Sequence, residues 1–128
     1  MGKSYLIDTN IILEYISNSL PPDIFQTVDA LLNEHFNISV INKIEILGHE
    51  SANLELEEFL NFATEFQLSS DVVEKTIQLR KLKKIKLPDA IIAATAIVNN
   101  LVIITRNEKD FKNIENLEYE NPYQNQIL

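Results

Sequence analysis

Four acidic residues, Asp8, Glu45, Asp89 and Asp110, are spaced so that a fold of alternating strands and helices would carry them to one place. Asp8 follows the apolar run Tyr5-Leu6-Ile7, Glu45 lies one helical turn beyond Ser39-Val40, Asp89 follows Pro88, and Asp110 comes shortly after Thr105-Arg106-Asn107. Taken singly, each has a plain explanation. Asp8 and Asp89 suit helix starts, where a carboxylate accepts from unpaired amides. Glu45 is flanked by Asn42, Lys43 and His49 and reads as the border of a short helix, half solvated, while Asp110 falls in a polar loop. Taken together they mean more, because independent caps have no reason to converge. Several carboxylates in one cleft repel one another and need a cation, and all-oxygen ligation selects Mg²⁺ or Mn²⁺ over zinc. A hard divalent ion held by acids, with positions left for water and phosphate, is an arrangement for hydrolysing phosphodiesters.

Convergence depends on the elements that carry these residues. Tyr5 to Ile7 reads as a strand running into Asp8-Thr9-Asn10, after which Ile11, Ile12, Tyr15 and Ile16 recur at helical spacing. A second amphipathic helix, with Ile24, Phe25, Val28, Leu31 and Leu32 on one face, follows Pro21-Pro22, and the two helices are expected to cover the first strand. Phe36 to Val40 reads as a second strand and Ile41 to Leu47 as a helix capped by Gly48. A helix from Leu54 to Glu65 leads into an extended stretch at Phe66 to Leu68, and Asp71 to Glu74 has the spacing of a capping box opening the next helix. Pro88 opens a helix whose residues Ala90 to Val98 are nearly all apolar or small, which marks it as buried. Asn99-Asn100 ends it, and Leu101 to Ile104 has the β-branched character of a strand covered on both sides. The tail from Glu115 is polar, with an edge strand near Leu117 to Tyr119. This alternation predicts one α/β domain over 1–128, a three-layer sandwich with a central parallel sheet flanked by helices. In such sheets ligands bind beyond the carboxyl ends of the strands, where Asp8 and the Thr105 loop fall.

Composition removes many other chemistries. The chain has no cysteine, which excludes disulfides, thiolate metal sites and cysteine nucleophiles, and its two glycines cannot supply a Walker loop or a dinucleotide fingerprint. A phosphatase of the haloacid dehalogenase type wants a second acid two positions after the first, where Asn10 stands. His35 and His49 show no catalytic partner pattern and read as surface residues. No run is apolar enough for a secretion signal or a membrane span, so the expected location is the cytoplasm. A formal charge of −8 argues against a nucleic-acid partner, but it includes the four candidate ligands, and five of the eleven basic residues fall within Arg80 to Lys86. Two readings of that stretch stay open: a positive patch at Lys83, Lys84 and Lys86 beside the acids, joined by Arg106, or a solvated helix end whose lysines suit the macrodipole.

The ordered set Asp8-Thr9-Asn10, Glu45, Leu87-Pro88-Asp89-Ala90 with Ile92 to Ala96, and Thr105-Arg106-Asn107 with Asp110-Phe111 resembles the PIN-domain ribonucleases, and within them the small VapC-like toxins of toxin–antitoxin pairs. The resemblance runs along nearly the whole chain. It implies Mg²⁺ or Mn²⁺ bound by Asp8, Glu45 and Asp89, with the fourth position supplied by Asp110 or by Asn107. It implies that Thr9, Asn10, Thr105 and Asn107 are supporting polar groups, and that the chain pairs as a homodimer whose active-site groove is occupied by a small antitoxin. The expected reaction is endonucleolytic hydrolysis of RNA without a covalent enzyme intermediate, a carboxylate helping to take the proton of the attacking water. Two alternatives remain: a nuclease of the same fold acting in RNA processing or on structured DNA, and a catalytically silent binding module.

Overall fold

The computed structural model describes residues 2–124. Met1 and the last four residues of the polar tail lie outside the described residues.

Strand β1 (Ser4–Ile7) pairs in parallel with β4 (Leu101–Ile104), from Ser4 opposite Leu101 to Ile7 opposite Ile104. On the other side of β4 lies β5 (Glu118–Glu120), also parallel, in the place of the expected edge strand and shifted by one residue. A second, two-stranded parallel sheet joins β2 (Asn37–Ser39) to β3 (Thr64–Phe66). The sheet expected to be continuous is thus in two pieces that meet at β1 and β2. Asn37 makes the junction: its Nδ2 donates to the Tyr5 carbonyl at 2.8 Å and to the Ser4 hydroxyl at 3.2 Å, where a backbone ladder would otherwise run.

Side chains on these strands alternate between two cores, as the period of a strand requires. Tyr5, Ile7, Val102, Ile104 and Ile38 face one side, where α1 (Thr9–Ile16), α2 (Pro22–His35), α3 (Val40–Leu47) and α4 (Leu54–Leu60) contribute Ile11, Ile12, Val28, Leu31, Ile46 and Leu56. Leu6, Leu101 and Ile103 face the other, against α5 (Ser70–Leu82), α6 (Leu87–Asn99) and the short α7 (Glu108–Phe111). Residues Ala90 to Ala96 of α6 are all buried, which accounts for a helix without a polar face. None of the described helices is long and apolar enough to cross a membrane.

Three local readings change. The helix expected to reach Glu65 stops at Leu60, because Thr64 to Phe66 is drawn into parallel pairing with β2; the Thr64 amide already donates to the Phe36 carbonyl at 2.8 Å. Ser69, not Asp71, caps α5, its hydroxyl accepting from the Val72 amide. Gly48 caps α3 as expected, but from the right-handed region, with φ −79°; a Cβ there would stand 2.6 Å from the Ile44 carbonyl oxygen. The left-handed positions belong instead to asparagine, at Asn18, Asn100, Asn113 and Asn116, with Asn100 closing α6 as expected.

Because among the described residues Asn37 alone bridges β1 to β2 by hydrogen bonding, Asn37→Ala should lower the free energy of unfolding by about 1–2 kcal/mol through the unpaired Tyr5 carbonyl. Denaturant titration of the two chains measures this.

Candidate active site

The parallel register of β1 with β4 brings Asp8 and Thr105, the next residue on each strand, side by side at the carboxyl end of the sheet. Asp8 is buried, and a buried carboxylate needs donors. It has two: Oδ1 accepts from the Thr9 amide at 2.9 Å as the cap of α1, and Oδ2 accepts from the Thr105 hydroxyl at 2.8 Å. The Thr105 hydroxyl in turn accepts from the Asn107 amide at 3.0 Å, which fixes the start of the loop leading to Asp110. The cap reading and the site reading of Asp8 therefore hold together, one oxygen serving the helix and the other facing the strand end.

Glu45, on α3, is exposed and not half solvated, since the apolar stripe of α3 turns away from it toward Ile46. Its Oε1 accepts from the Thr9 hydroxyl at 2.7 Å, which ties α3 to the start of α1. Asn42, expected on the polar flank of this helix, is fully buried and donates from Nδ2 to the Thr9 hydroxyl at 3.0 Å. The signal for Asn42 was in the sequence as Ser39-x-x-Asn42, a capping-box spacing that the structure uses: Asn42 Oδ1 accepts from the Ser39 amide at 2.8 Å and the Ser39 hydroxyl from the Ile41 amide at 3.1 Å.

Asp89 sits half-buried in the first turn of α6, where no side chain caps the helix, and among the described residues no hydrogen bond reaches its carboxylate. The reading of Asp89 as a group satisfying orphan amides thus has no geometric support. Burial, then the charges of Asp110, Asp8 and Glu45, push its pKa up to about 6, with Lys86 opposing. Burial also raises the Asp8 carboxyl, against the hydrogen bonds from Thr105 and Thr9, and Glu45 and Asp110 raise it further. Asp8 and Asp89 thus each feel the charges of Glu45 and Asp110, and Asp89 that of Asp8 as well. As they stand, no three acids or imidazoles among the described residues are close enough to grip one cation. Closing in on an ion would therefore fall to rotation of Asp89 and Asp110, neither of which is fully buried. The donor set fits a hard cation in kind: oxygen only, strongly anionic, and with one carboxylate free of competing donors.

Around the acids the basic residues divide. Lys83, Lys84, Lys86, Lys109 and Lys112 line one groove with Asp89 and Asp110. Lys109 and Lys112, scattered in the sequence, join the Arg80 to Lys86 stretch only through the fold. Lys83 is partly committed, donating to the carbonyls of Lys112 and Asn113. Arg106 lies elsewhere: it pairs with Glu14 and stacks over the Tyr123 ring, 4.2 Å from its centroid. Its expected part as a free nucleic-acid contact is not what the geometry shows, because that ion pair and ring already hold the guanidinium. Asn10 and Asn107 border a separate cavity with Leu13, Glu14 and Arg106, and the side chain of neither makes a hydrogen bond among the described residues. His49 is exposed against Ser51, whereas His35, expected at the surface, is half-buried edge-on to Tyr5.

The PIN domain model matches residues 5–117, most of the chain, and the chain belongs to the PIN domain family. Among solved structures it is similar to a chain of a toxin–antitoxin complex from Klebsiella pneumoniae, with 33% identity, a TM-score of 0.74, and 94% of this chain and 98% of that one covered. It is also similar to a chain of VapBC2 from Rickettsia felis bound to a promoter DNA fragment, at 28% identity and a TM-score of 0.73 over 91% of this chain and 97% of that one. VapBC-1 from nontypeable Haemophilus influenzae matches at 26% identity with a TM-score of 0.74, over 94% and 98%. No curated protein matches the sequence.

The raised pKa of Asp89 has a consequence for stability. Between the unfolded value of 3.8 and the folded value of about 6 the folded chain holds a proton that the unfolded chain has released, so this group's contribution falls as pH rises through that window. In chelator, Asp89→Asn should therefore be more stable than the wild type above pH 6, by about 1 kcal/mol once solvent screening of the half-exposed side chain is allowed for. The advantage should vanish near pH 4, as followed by denaturant unfolding across pH.

Proposed function

We propose that the chain is a metal-dependent endoribonuclease, the toxin of a toxin–antitoxin pair, acting in the cytoplasm. The observation that carries this reading is Asp89, a carboxylate on the first turn of a buried helix that no donor among the described residues satisfies and that three other acids repel. A silent binding module has no use for such a group. Asp8, Glu45, Asp89 and Asp110 would hold Mg²⁺ or Mn²⁺. When bound, that ion offsets the acids' repulsion, lowers the pKa of water and stabilises charge building on phosphorus.

The chain's own residues do the rest. Asp8, fixed by Thr9 and Thr105, and Glu45, fixed by Thr9, form the rigid side of the site. Asp89 and Asp110 form the adjustable side, and one carboxylate of the set helps take the proton of the attacking water. Asn10 and Asn107 border the neighbouring cavity and serve to orient substrate or water. The phosphate backbone is held by Lys84 and Lys86, with Lys109 and Lys112 across the groove, so that a chain with a charge of −8 still presents a local positive rim beside its acids. The likeness to chains of toxin–antitoxin complexes supports a small antitoxin as the protein partner. Leu54 and Phe62, 68% and 82% exposed, support pairing of two copies.

Purified chain incubated with single-stranded and folded RNA should cleave in Mg²⁺ or Mn²⁺ and stop in chelator, and Asp8→Asn should lower the rate by about 100-fold or more. Cleavage at the wild-type rate by Asp8→Asn, or in chelator, would overturn the reading. Replacing Lys84, Lys86 and Lys109 together with glutamine should weaken RNA binding and reduce the slope of log affinity against log salt by about two to three, as three lost phosphate contacts require; fluorescence anisotropy over a salt series measures both.

A further inference from the structure

Asn42 is a fully buried amide on a helix whose neighbours Lys43 and Ile44 are half-buried and exposed, and its two side-chain hydrogen bonds, with a third from Thr9 to Glu45, run in one direction. The Ser39 backbone N–H is a donor only, so the atom of Asn42 that meets it at 2.8 Å must be Oδ1. That fixes the other end of the amide as Nδ2, which donates to the Thr9 hydroxyl oxygen at 3.0 Å. With a donor already aimed at its oxygen, the single hydroxyl proton of Thr9 is left for Glu45 Oε1, 2.7 Å away. Ser39 ends β2, Asn42 and Glu45 lie one turn apart on α3, and Thr9 begins α1 beside Asp8. The amide orientation is thus set by the backbone of the second sheet and delivered to a carboxylate beside the first.

We infer that Asn42 is a positioning residue which, through the direction of the Thr9 hydroxyl proton, aims the otherwise exposed Glu45 carboxylate at Asp8 and so preorganises the cation site. The inference rests on the metal-dependent reading given above. Glu45 is on the surface, and an exposed glutamate left to itself samples several rotamers; a donor fixed at one oxygen selects among them and removes part of the entropy that ligation would otherwise cost. Asn42 itself contributes no anionic ligand and does not face solvent, so its effect passes through Thr9. A purely structural role, capping α3 through Ser39, would predict a different outcome: loss of stability with no loss of affinity in variants that keep the cap.

Mn²⁺ binding to the full chain, followed by calorimetry and by the loss of the free-ion paramagnetic signal, needs no RNA and separates the two roles. Thr9→Val keeps the Asn42 to Ser39 cap but removes the hydroxyl, and should weaken Mn²⁺ about tenfold, as loss of a group that orients a ligand does. Thr9→Ser should retain wild-type affinity. Asn42→Ala should weaken Mn²⁺ by a similar factor, and the double variant Thr9→Val with Asn42→Ala by no more than Thr9→Val alone, because both act along one path. Unfolding curves taken without metal identify which fraction of each chain is folded, so that affinity is expressed per folded molecule. Wild-type affinity in Thr9→Val, or fully additive losses in the double variant, would overturn the role of Asn42 while leaving the nuclease reading standing. Absence of Mn²⁺ and Mg²⁺ binding by the wild type would overturn both.

Discussion

A carboxylate cannot be buried without donors, and the placement of Asp8 at the end of β1 commits much of the remaining structure to supplying them. One oxygen needs a helix to begin at Thr9, and the other needs a hydroxyl on the adjacent strand, which the parallel register with β4 provides as Thr105. That register in turn requires a long right-handed return between the two strands, in which α5 and α6 cover the second face of the sheet. A one-residue slip would exchange the two faces of β4, turning Ile103 toward the first core and removing Thr105 from Asp8. The demands of the hydrophobic cores and of the buried acid therefore select the same register.

The four acids are held to very different degrees, and this division is the organising feature of the site. Asp8 is locked by two donors, Glu45 by one hydroxyl, and Asp89 by none among the described residues. Electrostatics follow the same gradient on the outside. On the side of Asp89 and Asp110 a groove carries lysines from the connection between α5 and α6 and from the α7 region, while on the side of Asn10 the guanidinium of Arg106 is neutralised by Glu14 and covered by Tyr123. Positive potential is available to a polyanion on one approach and largely spent on the other.

How much of this can be read from sequence depends on the range of the interaction. Ala90 to Ala96 declares its burial by composition and Leu101 to Ile104 by β-branching, while Asp8 stands out by its place after a strand and Asp89 by its place at a helix start. The family resemblance carried by Asp8, Glu45, Asp89 and Thr105-Arg106-Asn107 agrees with the PIN domain match and adds what spacing alone does not give. Most of the misreadings share a cause, which is that a partner distant in sequence decides the local outcome. Thr64 to Phe66 leaves its helix because β2 is there to pair with, and Arg106 loses its freedom to Glu14, 92 positions away, and to Tyr123. Asn42 looks like a surface amide until Thr9, on another helix, is placed against it. Asp71 and Ser69 compete for one cap within three residues, and spacing does not rank them.

The scarcity of glycine bears on how such a site works in time. Of the two glycines, Gly2 precedes the first strand and Gly48 is held in right-handed geometry against the Ile44 carbonyl, while the left-handed turns are built from asparagine, whose Cβ narrows the backbone's choices. No glycine hinge separates any of the four acids from the strand end or helix that carries it. Rotation of exposed carboxylates, which is complete in picoseconds to nanoseconds, is then the adjustment this geometry offers around an ion or a phosphate. Engagement of substrate would be paced by diffusion and desolvation, and the residence of a bound chain by the contacts along the lysine groove.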